Sequence, residues 1–229
     1  MHTGPSHGVV AQFVGSVMTE LIFDGSFVGG VDACLQQLWE HIVFEYESTE
    51  ASSRLSMLPL AFVCSNERDF PCFMGKAGDC LSLLYVLHNI CIEFDDGSRR
   101  DAHRLAAFES LCMIFTTCSE HDFFIPRPKA EEMLQSCETF QLHYNWLTRN
   151  AEANLCLRYN PVFKLHHLWH ICFHARYLNP KMGWCFQFED FVGTMIRMAK
   201  GCMHGTPLSL VGRKCLDNYF LWIQICLRE

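Results

Sequence analysis

Four histidines fall within nine residues of the segment Lys-Leu-His-His-Leu-Trp-His-Ile-Cys-Phe-His, residues 164–174. His166, His170 and His174 recur at every fourth position, so a helix stacks them along one face. Imidazoles at i and i+4 suit a transition metal, because zinc accepts neutral ring nitrogens together with carboxylates and thiolates. A second group of suitable side chains follows: Glu189 and Asp190 in Phe-Gln-Phe-Glu-Asp-Phe, then Cys202 and His204 in Lys-Gly-Cys-Met-His-Gly-Thr. His166, His170, His174 and Glu189 are the candidate ligands for zinc, with Lys164, His167, Asp190, Cys202 and His204 completing the cluster. The same pattern also reads as an amphipathic surface whose histidines hydrogen-bond locally or face water. Glu189 and Asp190 lie among Trp184, Phe186, Phe188 and Phe191. Apolar surroundings raise a carboxyl's pKa and suit acid–base work, whereas a place in a first helical turn makes the same groups stabilise the macrodipole.

Nucleophilic catalysis has less to stand on. No Gly-x-Ser-x-Gly, Walker phosphate loop or Gly-x-Gly-x-x-Gly occurs, so no common enzyme class is indicated and no catalytic residue is assigned. Arg99-Arg100 and Arg213-Lys214 are too short to be nucleic-acid patches by themselves.

The elements that must position these residues are helices. Apolar residues recur at helical spacing over 9–23, over 31–46 (Val31, Cys34, Leu35, Leu38, Ile42, Val43, Tyr46), over 75–94, and from a cap at Asp101 to about Ser119. The last of these stripes runs through Leu105, Phe108, Leu111, Cys112 and Phe115. Further helices are expected over 54–63, over 129–149 with Met133, Leu134, Cys137, Phe140, Tyr144 and Leu147 inward, and over 163–177, 188–202 and 210–227. Asn160-Pro161, Asn179-Pro180 and the Gly201, Gly205 and Pro207 region punctuate the later part. No hairpin signal joins alternating runs, so the expected class is all-α, a multi-helix bundle or orthogonal array of about seven to nine helices. An acidic N-terminal helical segment, 1–70, and a main helical domain, 71–229, are expected to form one continuous globular unit.

Half of the 229 residues are hydrophobic and 19% are charged, which supplies a core and argues against disorder. No apolar run is long enough to span a membrane, and the N-terminus lacks a secretory pattern. Fourteen cysteines, many inside apolar helix-like runs, read as free buried thiols in a reducing, intracellular compartment. The absence of Cys-x-x-Cys removes the common structural zinc patterns. Residues 1–140 carry 8 Lys/Arg against 20 Asp/Glu, a net of −12, whereas 141–229 carry 10 against 5, a net of +5. The two parts can attract each other, or the basic part can meet an acidic partner, nucleic acid included.

The order Lys164-Leu-His166, His170, an Asn-Pro turn, then Phe188-Glu189-x-x-x-Gly193 and Lys200-Gly201 resembles the helical domain that follows the catalytic core in CACTA-type (tnp2-like) cut-and-paste transposases. The resemblance spans about 77–206; the helices over 77–147 match in spacing and hydrophobicity. It departs at Asp190, where the family pattern has Arg, and at the turn Cys202–Thr206. It implies a fragment derived from a mobile element, non-catalytic because no acidic catalytic core is present. Assembly with a parent transposase complex, contacts to DNA and a nuclear location follow as implications. His166, His170 and Glu189 are the positions carried over, the first two on a helix facing that of Glu189. The alternative class is a zinc-binding helical protein, hydrolases included, built on 164–174 and Glu189.

Overall fold

The computed structural model describes residues 8–49, 53–63, 69–183 and 186–226, with side chains for all of these except 186–194, 222, 223, 225 and 226. Over the described residues the chain is all-α, as expected, with eight α-helices and no strand. They are α1 (Val9–Phe23), α2 (Val31–Ser48), α3 (Ala77–Glu93), α4 (Arg99–Glu120), α5 (Arg127–Ala153), α6 (Lys164–His174), α7 (Phe186–Met203) and α8 (Leu208–Cys226). The chain divides into two compact units, Met1–Gly183 and Trp184–Glu229. Segments on either side of residue 70 share the first unit, because α1 packs on both α2 and α3. In the second unit α7 and α8 pack on each other.

The core of the first unit is built on α1. Every residue from Val10 to Ile22 is buried. Phe13 meets Phe108 of α4 edge-on at 4.7 Å between ring centroids and Phe140 of α5 at 5.8 Å, with Tyr144 and Tyr159 close by. Gly15 lets another part of the backbone approach: a Cβ there would meet Cys72 Cα and Phe73 N at 2.7 Å. That proximity permits the Phe73 N–H to donate to Ala11 O at 2.9 Å. The amphipathic stripe of α2 narrows to Cys34, Leu38, Ile42 and Tyr46, each one turn from the next. In α5, Met133, Cys137, Phe140, Tyr144 and Leu147 are buried as the spacing predicts.

Two local expectations are corrected. The helix expected over 54–63 reduces to one 3-10 turn, Leu60–Phe62, consistent with Pro59 standing directly before it. The cap of α4 is Ser98, whose hydroxyl accepts from the Asp101 N–H at 3.1 Å. Asp101 lies inside the first turn and is buried, because Arg104 one turn on needs its carboxylate.

Arg104 is the largest fully buried side chain, 1% exposed. Its guanidinium reaches Glu20 of α1 at 3.3 Å and Asp101 at 3.1 Å. Toward the surface Arg158 forks onto Asp24, with Nη2 to Oδ1 at 2.7 Å, and Arg100 joins the same carboxylate at 2.9 Å. Burial pushes the Glu20 carboxyl above its ordinary range, against the pull of the Tyr159 hydroxyl and of Arg104, Arg100 and Arg158. Burial alone would lower the titration of Arg104, but Cys91, Glu20, Tyr159 and Asp101 around it together raise it, so the guanidinium stays charged.

Because Glu20 keeps its proton to higher pH in the folded chain than in the unfolded one, its burial costs stability as pH rises from 4.5 through the folded titration point. Glu20→Gln removes this component. In urea titrations across that window, the stability of the wild type relative to the variant is expected to decline with pH; a pH-independent difference would contradict the raised carboxyl.

Candidate functional site on the histidine helix

Helix α6 is held by its polar backbone as well as its apolar face. Leu168 and Cys172 are buried, and α6 packs against α5. Gln141 of α5 donates to Leu165 O at 2.9 Å, and Trp169 Nε1 donates to Glu138 Oε1 at 3.2 Å. Hydrogen bonding to Cys137, then burial, drives the Cys172 thiol far above the usual thiol range, so it behaves as an inert core group. The chain enters α6 through 154–160, where Leu155 and Tyr159 have φ of 57° and 53°, a conformation that non-glycine residues rarely adopt. Tyr159 is held there by its N–H donating to Ser16 Oγ at 2.8 Å and its carbonyl accepting from Thr148 Oγ1 at 2.8 Å.

The Asn179-Pro180 turn fastens the exit. Asn179 is fully buried, and its side-chain amide donates to Cys118 O, His121 O and Asp122 O at 2.8, 2.7 and 2.8 Å. These carbonyls belong to the end of α4 and the residues just after it, where the helix leaves acceptors without partners. Asn179 Oδ1 accepts from Lys181 N at 3.0 Å, and its own N–H donates to Phe123 O at 2.9 Å.

The histidines stay at the surface: His166, His167, His170 and His174 are all exposed. His166 Nε2 and His170 Nε2 are 2.9 Å apart, so one ring donates to the other, with the rings edge-on at 4.4 Å. His174 stacks over His170 at 6.5 Å, and His167 packs against Phe163 at 5.0 Å. Two imidazole nitrogens thus converge on one point. Zinc–nitrogen bonds of 2.0–2.1 Å in tetrahedral geometry place two such nitrogens about 3.4 Å apart, so a small ring rotation would open the pair for the metal. Lys164 sits at the start of the same helix.

Of the remaining cluster, Glu189 and Asp190 belong to α7 but their side chains lie outside the described residues. Cys202 is buried in the second unit, and Asn218 of α8 donates to its sulfur at 3.2 Å. His204 is exposed in the turn that precedes Gly205 at φ 68°. Within each unit, then, these residues serve α6 or the α7–α8 hairpin separately.

Three arrangements were not visible in the sequence. The first is the buried group of Glu20, Asp101 and Arg104, separated by up to 84 positions. The second is a histidine pair between helices, His103 of α4 and His143 of α5, with Nδ1 atoms 2.7 Å apart. Trp146 stacks on His103 at 4.0 Å and 8°, and Arg99 lies 5.3 Å from the Trp146 ring. Burial first, then His143 and Arg99, lowers the His103 titration. The third is Asp95, Asp96 and Asp101, the one set of three potential metal-binding groups among the described residues. One oxygen of each serves the local structure: Asp95 accepts from Gly97 N, Asp96 from Ser98 N, and Asp101 pairs with Arg104. It forms the turn that starts α4.

Asn179→Ala is expected to lower stability by about 1–3 kcal/mol, since it removes a buried amide that hydrogen-bonds the end of α4. Chemical denaturation measures this; an unchanged midpoint would show that the turn does not anchor α6. Compared with protein-family models, curated proteins and solved structures, the chain matches none.

Proposed function

We propose that this chain is a non-catalytic helical domain of a mobile-element-derived, transposase-like protein, and that it contributes contacts to a DNA complex through α6. The observation that supports this most is the electrostatic character of the α6 region. From 153 to 188 there is no Asp or Glu, while Arg158, Lys164, Arg176, Lys181 and four histidines fall in that stretch. The surface of α6 carries those histidines with exposed Phe163, Arg176 and Tyr177 around its ends. Arg176 lies over Phe173 at 4.2 Å and Tyr177 at 4.7 Å, so its guanidinium is held near the surface. Phosphates are met by such cations, and bases stack on such aromatic faces. The carboxylate that α5 brings to α6, Glu138, is engaged by Trp169. The negative net charge lies in residues 1–140, away in sequence from this surface.

A second reading is zinc held on α6. The observation that favours it is the convergence of the His166 and His170 ring nitrogens at 2.9 Å. These two supply half of a four-coordinate site, and the other ligands would come from protein groups or water.

The DNA reading is tested by fluorescence anisotropy with a short labelled duplex across a salt series. Affinity is expected to fall steeply with salt, and Lys164→Ala and Arg176→Ala each to reduce the log–log slope by about one. No binding at low salt, or slopes that ignore both substitutions, would refute it. The zinc reading is tested by elemental analysis after exposure to zinc. One equivalent, lost in the double variant His166→Ala/His170→Ala, is expected; no retained zinc sinks it.

A further inference from the structure

The flank of α6 opposite its contact with α5 borders a cleft of 490 Å³. Its walls come from three helices of one unit: Val9 and Val10 of α1, Leu111 and Phe115 of α4, Leu168 and Ile171 of α6. Val10, Leu111, Phe115 and Leu168 lie beneath the cleft and are almost wholly covered by the fold, so the apolar surface open to a ligand comes from Val9 and Ile171. The volume of the cleft is in the range of small-molecule sites, roughly 300–1,000 Å³.

The polar groups at this cleft are of one kind. Lys164, His167, His170 and His174 line it, and among the described residues no acidic one does. The N-terminus of α1 opens into it as well: Gly8, the N-cap, lines the cleft and has no side chain to satisfy the first N–H groups. A helix N-terminus carries partial positive charge and free donors. An apolar floor beside a lysine, imidazoles and a helix N-terminus is complementary to a molecule with a long apolar part and one anionic end. A nucleotide would leave its polar sugar and base edges without partners on these walls, and an amine would meet like charge.

We propose that this cleft is a binding site for a long-chain carboxylate, its hydrocarbon chain lying along Val9 and Ile171 and its carboxylate at Lys164 and the amino end of α1. The proposal does not rest on the DNA reading, but the cleft shares Lys164, His167, His170 and His174 with the α6 surface that reading uses.

The probes are laurate, its longer and shorter homologues, and dodecylamine, measured by calorimetry on the full chain below their micellar concentrations. Laurate is expected to bind with one-to-one stoichiometry, each added methylene tightening binding by about fourfold until the cleft is filled. Dodecylamine is expected to bind roughly tenfold more weakly. Ile171→Trp, at a half-exposed position on the wall, is expected to weaken every homologue; Lys164→Glu is expected to weaken laurate and strengthen the amine. Circular dichroism and melting of both variants establish that they fold. Absence of saturable laurate binding, equal affinity for carboxylate and amine, or insensitivity to both substitutions would overturn the proposal. Binding that appears only after residues 1–7 are removed would overturn it in favour of that segment as the occupant. A dimer that Ile171→Trp dissolves would do the same in favour of a second copy of the chain.

Discussion

A guanidinium enclosed in a helical core is the constraint on which the first unit depends. Arg104 cannot lose its charge, so the fold must bring it carboxylates where water is excluded. Asp101 comes from its own helix one turn away, but Glu20 must come from α1. That requirement sets the register of α1 against α4. One turn further along α1, Asp24 receives Arg100 and Arg158, and the link from α5 to α6 is drawn in with Arg158. Buried ion pairs add little net stability compared with apolar residues of the same shape, yet leaving one partner unmatched is costly. Their value here is directional: alternative packings of α1 on α4 are penalised because they strand a charge. The arrangement is not fully satisfied, since Arg104 Nε and the Tyr159 hydroxyl have no well-formed hydrogen bond.

The placement of α6 follows from this. Tyr159 takes up a left-handed conformation against Ser16 and Thr148, directly beside the Glu20 carboxylate. The chain then turns at Asn160, whose carbonyl accepts from the Tyr144 hydroxyl at 2.8 Å, and α6 begins four residues on. Its other end is tied by Asn179 to carbonyls at the end of α4 and in the two residues after it. A short helix of eleven residues is marginal alone, so these anchors and its packing on α5 hold it. The result is a rigid mount for a surface that carries imidazoles and cations without carboxylates of its own.

The helices themselves were legible because burial on one side imposes a period on each segment. The stripe read for α5 is buried nearly as written, as are Phe108, Leu111 and Phe115 in α4, whereas in α2 only Cys34, Leu38, Ile42 and Tyr46 are buried and Val31 and Val43 are exposed. The segment over 54–63 misled because an apolar stretch of that length carries no dependable period, and Pro59 interrupts it. For the histidine segment, spacing alone predicted one face, and His166 and His170 do touch across one turn. The Asn-Pro turn was readable as a stop signal, but its buried amide, bonded to carbonyls at the end of α4 and just beyond it, was not.

By itself the sequence determined the all-α class, most helix limits, the crowding of histidines on α6 and the absence of carboxylates around it. Each of these is a property of neighbours along the chain, where spacing and composition are sufficient. Only the tertiary structure decided that Arg104 is interior, that His103 meets His143, and that α1, α4 and α6 leave an apolar cleft beside Lys164. Those are relations between residues tens of positions apart. Local propensity carries no information about them, because they are set by how helices pack and by the cost of leaving a buried charge without its counterpart.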